Sequence, residues 1–390
     1  MVMSCKKSDV NPVTKYDNAP CENNLAGNYP CWDYDLIGHF SLDQLGEVGI
    51  SGNDCWGWTD PESSKEYALM GISTGTSFID ISNPEDPKII GFLPTHTSSS
   101  DWRDIKTYGN HAFIVSEAEG HGMQVFDLSK LPSISPASEP VIFSSDAHYS
   151  GFGNAHNIVI NESKAYAYAV GTETFNGGPH FIDISDPLNP IAAGGYADGA
   201  YSHDAQVITY TGPDEDYTER EILIGSNESK VVLVDITNKN NPTEISSTTY
   251  SNIGYTHQGW FTEDQKYFIL GDEYDEKSYG INSRNVVFDF TDLDNPVVHM
   301  EYYGQTTAID HNGYVLGDYF YMANYTAGVR IIDISNIANK QMEEVGYFDT
   351  YLPNDLASFN GVWSVYPFFK SENIILSDIN SGFYIIRKSD

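Results

Sequence analysis

Four of the 11 histidines in the chain stand at one register: His156, His203, His257 and His311, in the contexts AHN, SHD, THQ and DHN. Neutral imidazoles are ligands for Zn²⁺ or Cu²⁺, and an Asp beside one can orient its ring from behind. The same register is filled elsewhere by Asn53-Asp54, Arg103-Asp104 and Asn360-Gly361, while the histidines are followed by Asn157, Asp204, Gln258 and Asn312. A second polar group recurs downstream, in Glu117 to His121, Asn227-Glu228, Asp272-Glu273 and Asn324-Tyr325. Metal binding at the four histidines is one chemistry this pattern permits. A small-molecule or peptide site built from Asn53, Asp54, Arg103, Asp104, Glu117, His121, Asn157, Asp204, Glu228, Asp272, Glu273, Asn312, Tyr325 and Asn360 is a second. Hydrogen bonding between neighbouring structural units, with no ligand, is a third.

Clustered carboxylates bind hard cations such as Ca²⁺, and two loops are rich in them: GPDEDYTERE (212–221) and GDEYDEK (271–277). Neither follows the spacing of an EF-hand loop, so both read as solvated acidic turns. The candidate ions are therefore Zn²⁺, Cu²⁺ or Ca²⁺. Catalytic signatures are missing: there is no GxSxG, HExxH, Walker A loop or Gly-rich dinucleotide fingerprint. The pattern favours binding over catalysis, with a metalloenzyme using the four histidines as the alternative.

The elements that would position these residues come from a repeat. A β-branched or aromatic pair, Asp, an apolar residue and Ser or Thr recur as FIDIS (78–82), VFDLS (125–129), FIDIS (181–185), VDIT (234–237), FDFT (288–291) and IIDIS (331–335). The last copy, FYIIRKS (383–389), has Arg387 in place of Asp. Successive copies lie 44 to 56 residues apart, the length of a four-stranded propeller blade with its loops. Asp80, Asp127, Asp183, Asp235, Asp289 and Asp333 fall where an Asx side chain can bond the following turn, so they read as structural. The third copy shows the unit: HNIVI, KAYAYAV, PHFIDIS and PIAAGGYA form strands a to d. The seventh copy ends after strand c, whereas DLIGHFSL (35–42) resembles a strand d lying before the first copy. The expectation is an all-β, seven-bladed β-propeller closed by an N-terminal strand that completes the last blade. In such a ring the a strands line the channel, and the b–c loops share a face with their starts. That geometry would gather the polar residues into one His-rich funnel.

Charge narrows the partners. There are 20 Lys+Arg against 55 Asp+Glu, a net of −35, which excludes nucleic acid, whose phosphates need Lys and Arg. No stretch reaches the roughly 20 apolar residues of a membrane-spanning helix. The start, Met1-Val2-Met3-Ser4-Cys5, has the apolar, small and Cys order of a lipoprotein cleavage site, with Cys5 the lipidated residue. Residues 1–20 then read as signal remnant and flexible tether, and 21–390 as one propeller domain. Cys21 and Cys31 flank a Gly/Asn/Pro-rich segment where a disulfide would fit an oxidising compartment. Pairing of Cys31 with Cys55 stays open, although Cys55 beside Trp56 reads as a buried thiol.

Long stretches resemble the choice-of-anchor B family, whose members carry LVIVD-type repeats. They include NDCWGWTDPESSKEYALMG (53–71), PTHTSSSDWRDIKTYGNHAFIVSEAEGHGMQVFDLS (94–129), YTHQGWFTEDQKYFILGDEYDE (255–276), AIDHNGYVLGDYFYMANYTAGVRIIDIS (308–335) and GVWSVYPFF (361–369). The resemblance implies an exported surface propeller, supports pairing Cys21 with Cys31, and carries no catalytic residues. The sequence thus leads to an outer-membrane lipoprotein at the cell surface, held to the membrane by lipid and meeting a protein partner at the cell envelope. Its function would be recognition through the polar face, or a place as accessory subunit in an outer-membrane complex.

Overall fold

Along each repeat the strands are apolar on both sides, as in Val231–Asp235 (VVLVD), where all four valine and leucine side chains are buried. A strand buried on both faces needs a layer on each side. The computed structural model, which describes residues 18–46, 49–135 and 140–389, supplies those layers by packing sheet against sheet. Cys5, where lipidation is expected, and most of the 1–20 tether lie outside the described residues.

The described strands form seven sheets. Their first strands are Gly52–Thr59, Arg103–Tyr108, Asn157–Asn161, Asp204–Thr209, Thr256–Phe261, Gly313–Leu316 and Val362–Tyr366. Each lies against the next in chain order, and the last returns to the first, closing a ring. Within each sheet the first four strands run antiparallel outward. The hydrophobic core lies between sheets: Ile222 and Ile224 of the fourth pack with Phe261, Phe268 and Phe288 of the fifth. Each such burial contributes about 1.5–3 kcal/mol.

The repeated aspartates do what their position suggested. Asp80, Asp127, Asp183, Asp235, Asp289 and Asp333 each accept the backbone N–H two residues on, at 2.8–3.0 Å. Arg387 instead donates to Asn373.

The N-terminal strand Tyr34–Phe40 pairs antiparallel with Gly382–Lys388 as the fourth strand of the seventh sheet. Just before it, Tyr29–Trp32 adds to the outer strand of the sixth sheet, so the segment bridges two neighbouring sheets. Cys21 and Cys31 form the disulfide, and Cys55 is a free, buried thiol. Among the described residues no helix is long and apolar enough to cross a membrane.

Candidate functional site

The four histidines enter the channel from consecutive sheets, at the start of each first strand. Their rings form a continuous arc, with centroids 4.1 Å apart for His156–His203 and 4.4 Å for both His203–His257 and His257–His311. The arc stops where other side chains take the register: Arg103 and Asn53 on one side, Asn360 on the other.

Hydrogen bonds set the rings. His311 Nδ1 donates to the Trp363 carbonyl at 2.5 Å, and His203 Nδ1 donates to the His257 carbonyl at 3.3 Å. His156 Nδ1 donates to Glu117 Oε1 at 2.6 Å. A ring that donates through Nδ1 keeps its Nε2 lone pair free. The Nε2 atoms of His257 and His311 face one carboxylate, Glu273, at 3.8 and 3.7 Å. Tyr325 also donates to Glu273, at 2.8 Å.

Burial dominates the protonation of this group. It pushes His203 and His257 well below the usual imidazole range, reinforced by the neighbouring rings, and His311 down to about 3. Burial also raises Glu273 to about 7. The imidazoles of His203, His257 and His311 are therefore neutral at physiological pH. Between them, Trp102 and Trp363 lies a cavity of about 20 Å³, room for one water or ion.

Above the arc opens a pocket of about 440 Å³, walled by Trp102, Tyr201, Tyr255 and Tyr274, with Glu117 and Glu273 on its sides. These aromatics were not singled out from sequence, though Tyr201 and Tyr255 each stand two residues before an arc histidine. That spacing is the signal that could have found them.

Arg103, Asp104, Asn157, Asp204 and Asn312 line the small cavity between the imidazoles, and several expected funnel residues also tie the ring together. Asp54 accepts the Ile105 N–H at 3.0 Å and Asp104 that of Ile158 at 2.8 Å, each reaching the next sheet. Asn157 donates to Asp204 at 2.9 Å, and Gln258 exchanges two bonds with Gly313. Lys106 binds Asp104 at 2.8 Å and Asp54 at 3.4 Å, and lies 4.5 Å from the Trp56 ring centre, plugging the channel below the arc. Arg103 and His121 are buried together: Nη1 donates to His121 Nε2 at 3.2 Å. Asp272 is buried and accepts from Tyr250, Gly254 and Tyr255, while Asn53 donates to the Asp101 carbonyl. Asn312 is buried, Asn360 accepts from Asn380, and Glu228 is exposed. Of the expected set, Glu117 and Glu273 line the pocket with His156 and His203.

The acidic loop at 271–277 is not the solvated turn expected. Asp272 and Asp275 are 0% exposed and Glu276 2%, because the segment folds inward against Gly254 and Arg284.

Comparison with known proteins reaches the fold. The LVIVD repeat model matches residues 314–350, which cover the first four strands of the sixth sheet from Tyr314 to beyond Phe348. No curated protein matches. Among solved structures, the chain is similar to Kuenenia stuttgartiensis hydrazine synthase, at 12% identity and TM-score 0.55, over 83% of this chain and 93% of that one. It is also similar to the β-propeller domain of Myceliophteria thermophila Cps50 (Swd1), at 10% identity and TM-score 0.53, over 83% and 94%. At such identities the likeness speaks to architecture alone, and it leaves the chain as an all-β propeller carrying an LVIVD repeat.

Proposed function

We propose that this protein is an exported, lipid-anchored propeller that recognises a ligand through the funnel above its imidazole arc. The observation that carries this is the pocket of about 440 Å³ with four aromatic walls, carboxylates at its sides and histidines at its floor. Aromatic faces and carboxylates together suit a cationic group, so a basic segment of a protein partner is the ligand class, in keeping with the net charge of −35. The Cys21–Cys31 disulfide supports an oxidising compartment, and the Met1–Cys5 signal supports a lipid on Cys5 and an outer-membrane, surface location. We read one blade per sheet, a count of seven, and membership of the choice-of-anchor B family belongs to the same proposal.

A second reading rests on a separate observation: His257, His311 and Glu273 bring three ligand atoms within 4.8 Å of one another. With bonds near 2.1 Å, ligands on a tetrahedral Zn²⁺ lie about 3.4 Å apart. The observed 3.7 and 3.8 Å need only a small contraction.

One set of measurements separates the two. Short Lys- and Arg-containing peptides and Zn²⁺ are each titrated into the wild type, the Trp102→Ala/Tyr255→Ala variant and the His257→Ala/His311→Ala variant. Recognition predicts peptide binding that the aromatic variant loses by about tenfold or more. The metal reading predicts one Zn²⁺ per chain, lost in the histidine variant. Neither response in the wild type would return the arc to architecture.

A further inference from the structure

Behind the funnel, four buried side chains from three segments converge. Asp275 and Glu276 come from the helical turn Asp275–Tyr279, Asn285 from the strand Arg284–Asp289, and Asp310 from the approach to the sixth sheet. Their exposures are 0, 2, 1 and 0%. One oxygen from each of the three acids lies within 4.8 Å of the others.

Protein donors satisfy only half of this group. Arg284 Nε donates to Asp275 Oδ2 at 2.6 Å, the Arg284 backbone N–H to Glu276 Oε1 at 3.1 Å, and Asn285 Nδ2 to Asp310 Oδ2 at 2.7 Å. The second oxygen of every acid has no donor from outside the group: Asp275 Oδ1, Glu276 Oε2 and Asp310 Oδ1. The carbonyl oxygen of Asn285, whose amide head rests on the Asp310 carboxylate, has none either. Burial and mutual repulsion raise all three acids, and Glu276 can share a proton with Asp275 and Asp310. Of the three carboxylates only Asp275 meets a guanidinium, that of Arg284, which Glu301 also engages at 3.1 Å. Buried carboxylates left without a counter-charge are strongly destabilising. The chain makes room for this crowding, since a Cβ on Gly271 would come within 2.5 Å of Asp310 Oδ2.

We propose that these four residues form a structural Ca²⁺ site, with Asp275, Glu276 and Asp310 giving carboxylate oxygens and Asn285 its amide oxygen. The donors are all hard oxygens, the set Ca²⁺ selects, whereas Zn²⁺ prefers nitrogen and sulfur. Ca–O bonds of about 2.4 Å place opposite oxygens about 4.8 Å apart, while Mg²⁺ would draw them to about 4.2 Å. Mg²⁺ also keeps several waters and is seldom held by an all-protein cage, so four protein oxygens favour Ca²⁺. Such an ion would fasten the segment that carries Glu273 to the one that carries His311. The site stands on its own donors and does not depend on what the funnel binds.

The test uses the full chain, stripped with chelator, dialysed, and titrated with CaCl₂ by calorimetry and thermal melting. One Ca²⁺ per chain and a raised Tm are expected. Affinity should fall about 100-fold or more in Glu276→Gln, which keeps the acceptor for Arg284, and in Asp310→Asn. His257→Ala/His311→Ala should bind Ca²⁺ as the wild type does, which sets this site apart from the arc. If the stripped wild type takes up no Ca²⁺, and Glu276→Gln melts at or above it, protons neutralise the cluster and the proposal fails. It also fails if Glu276→Gln binds Ca²⁺ undiminished.

Discussion

His121 must stay neutral for its surroundings to hold. Its Nδ1 donates to the Gly122 carbonyl at 3.0 Å while Nε2 accepts from Arg103, so protonation would set a cation against a buried guanidinium. Burial first, then Arg103, pushes its pKa down to about 4. A depressed imidazole means that the unfolded chain binds the proton more tightly. Stability is therefore full above about pH 6.5 and drains as pH falls towards 4, by up to about 3 kcal/mol. His121→Gln, which keeps an acceptor and cannot titrate, should flatten the stability curve between those limits in urea melts at each pH. An unchanged slope would show that other groups carry the acid sensitivity. At this scale the sequence was legible where a residue obeys a local rule. The six Asx aspartates and the arc histidines stand in register because each repeat places them alike. Asp54, Asp104 and Asn157 stand in register for a different reason, bonding the next sheet, and spacing alone does not separate stapling from ligand binding. The acids at 275 and 276 were misread because burial of a charged loop depends on tertiary partners: Arg284, reached only once the chain folds back, and Asp310, remote in the chain.

The closing strand Tyr34–Phe40 is the element on which the ring depends. Leu36 and Phe40 are buried in it, and its backbone covers the outer edge of Gly382–Lys388. Without it the seventh sheet would end in an unpaired apolar edge, the kind of strand that pairs with other chains. Deletion through Phe40 should abolish the single sharp unfolding transition and raise aggregation in light scattering, and a synthetic 34–40 peptide supplied in trans should restore monomer. Retention of a sharp transition would show that three strands suffice. This element was readable because DLIGHF repeats the Gly-aromatic habit of other outer strands. The extra pairing of Tyr29–Trp32 with the sixth sheet was not, since a four-residue strand containing Pro30 carries no periodic pattern.

Across the whole molecule, the net charge of −35 is carried mostly at the surface, and the ring holds it against its own repulsion. Salt shortens the reach of that repulsion, from a Debye length near 30 Å at about 0.01 M to near 10 Å at about 0.1 M. Melting temperature should thus rise by several degrees as NaCl goes from about 0.01 M to about 0.5 M, measured in chelator so that bound cations do not contribute. A flat response would place the acidic groups too far apart to matter. The path of the N-terminal segment has a mechanical consequence. Tension applied before Ala19 first meets the paired backbones of Ala19 and Leu36 on the rim. From Cys21 the sulfur–sulfur link hands it directly to Cys31, so the small hairpin between them bears no load. It then spreads over Tyr347 and Phe348 of one sheet and the closing strand of the next. Two rim strands share the strain, and the funnel on the axis is left slack.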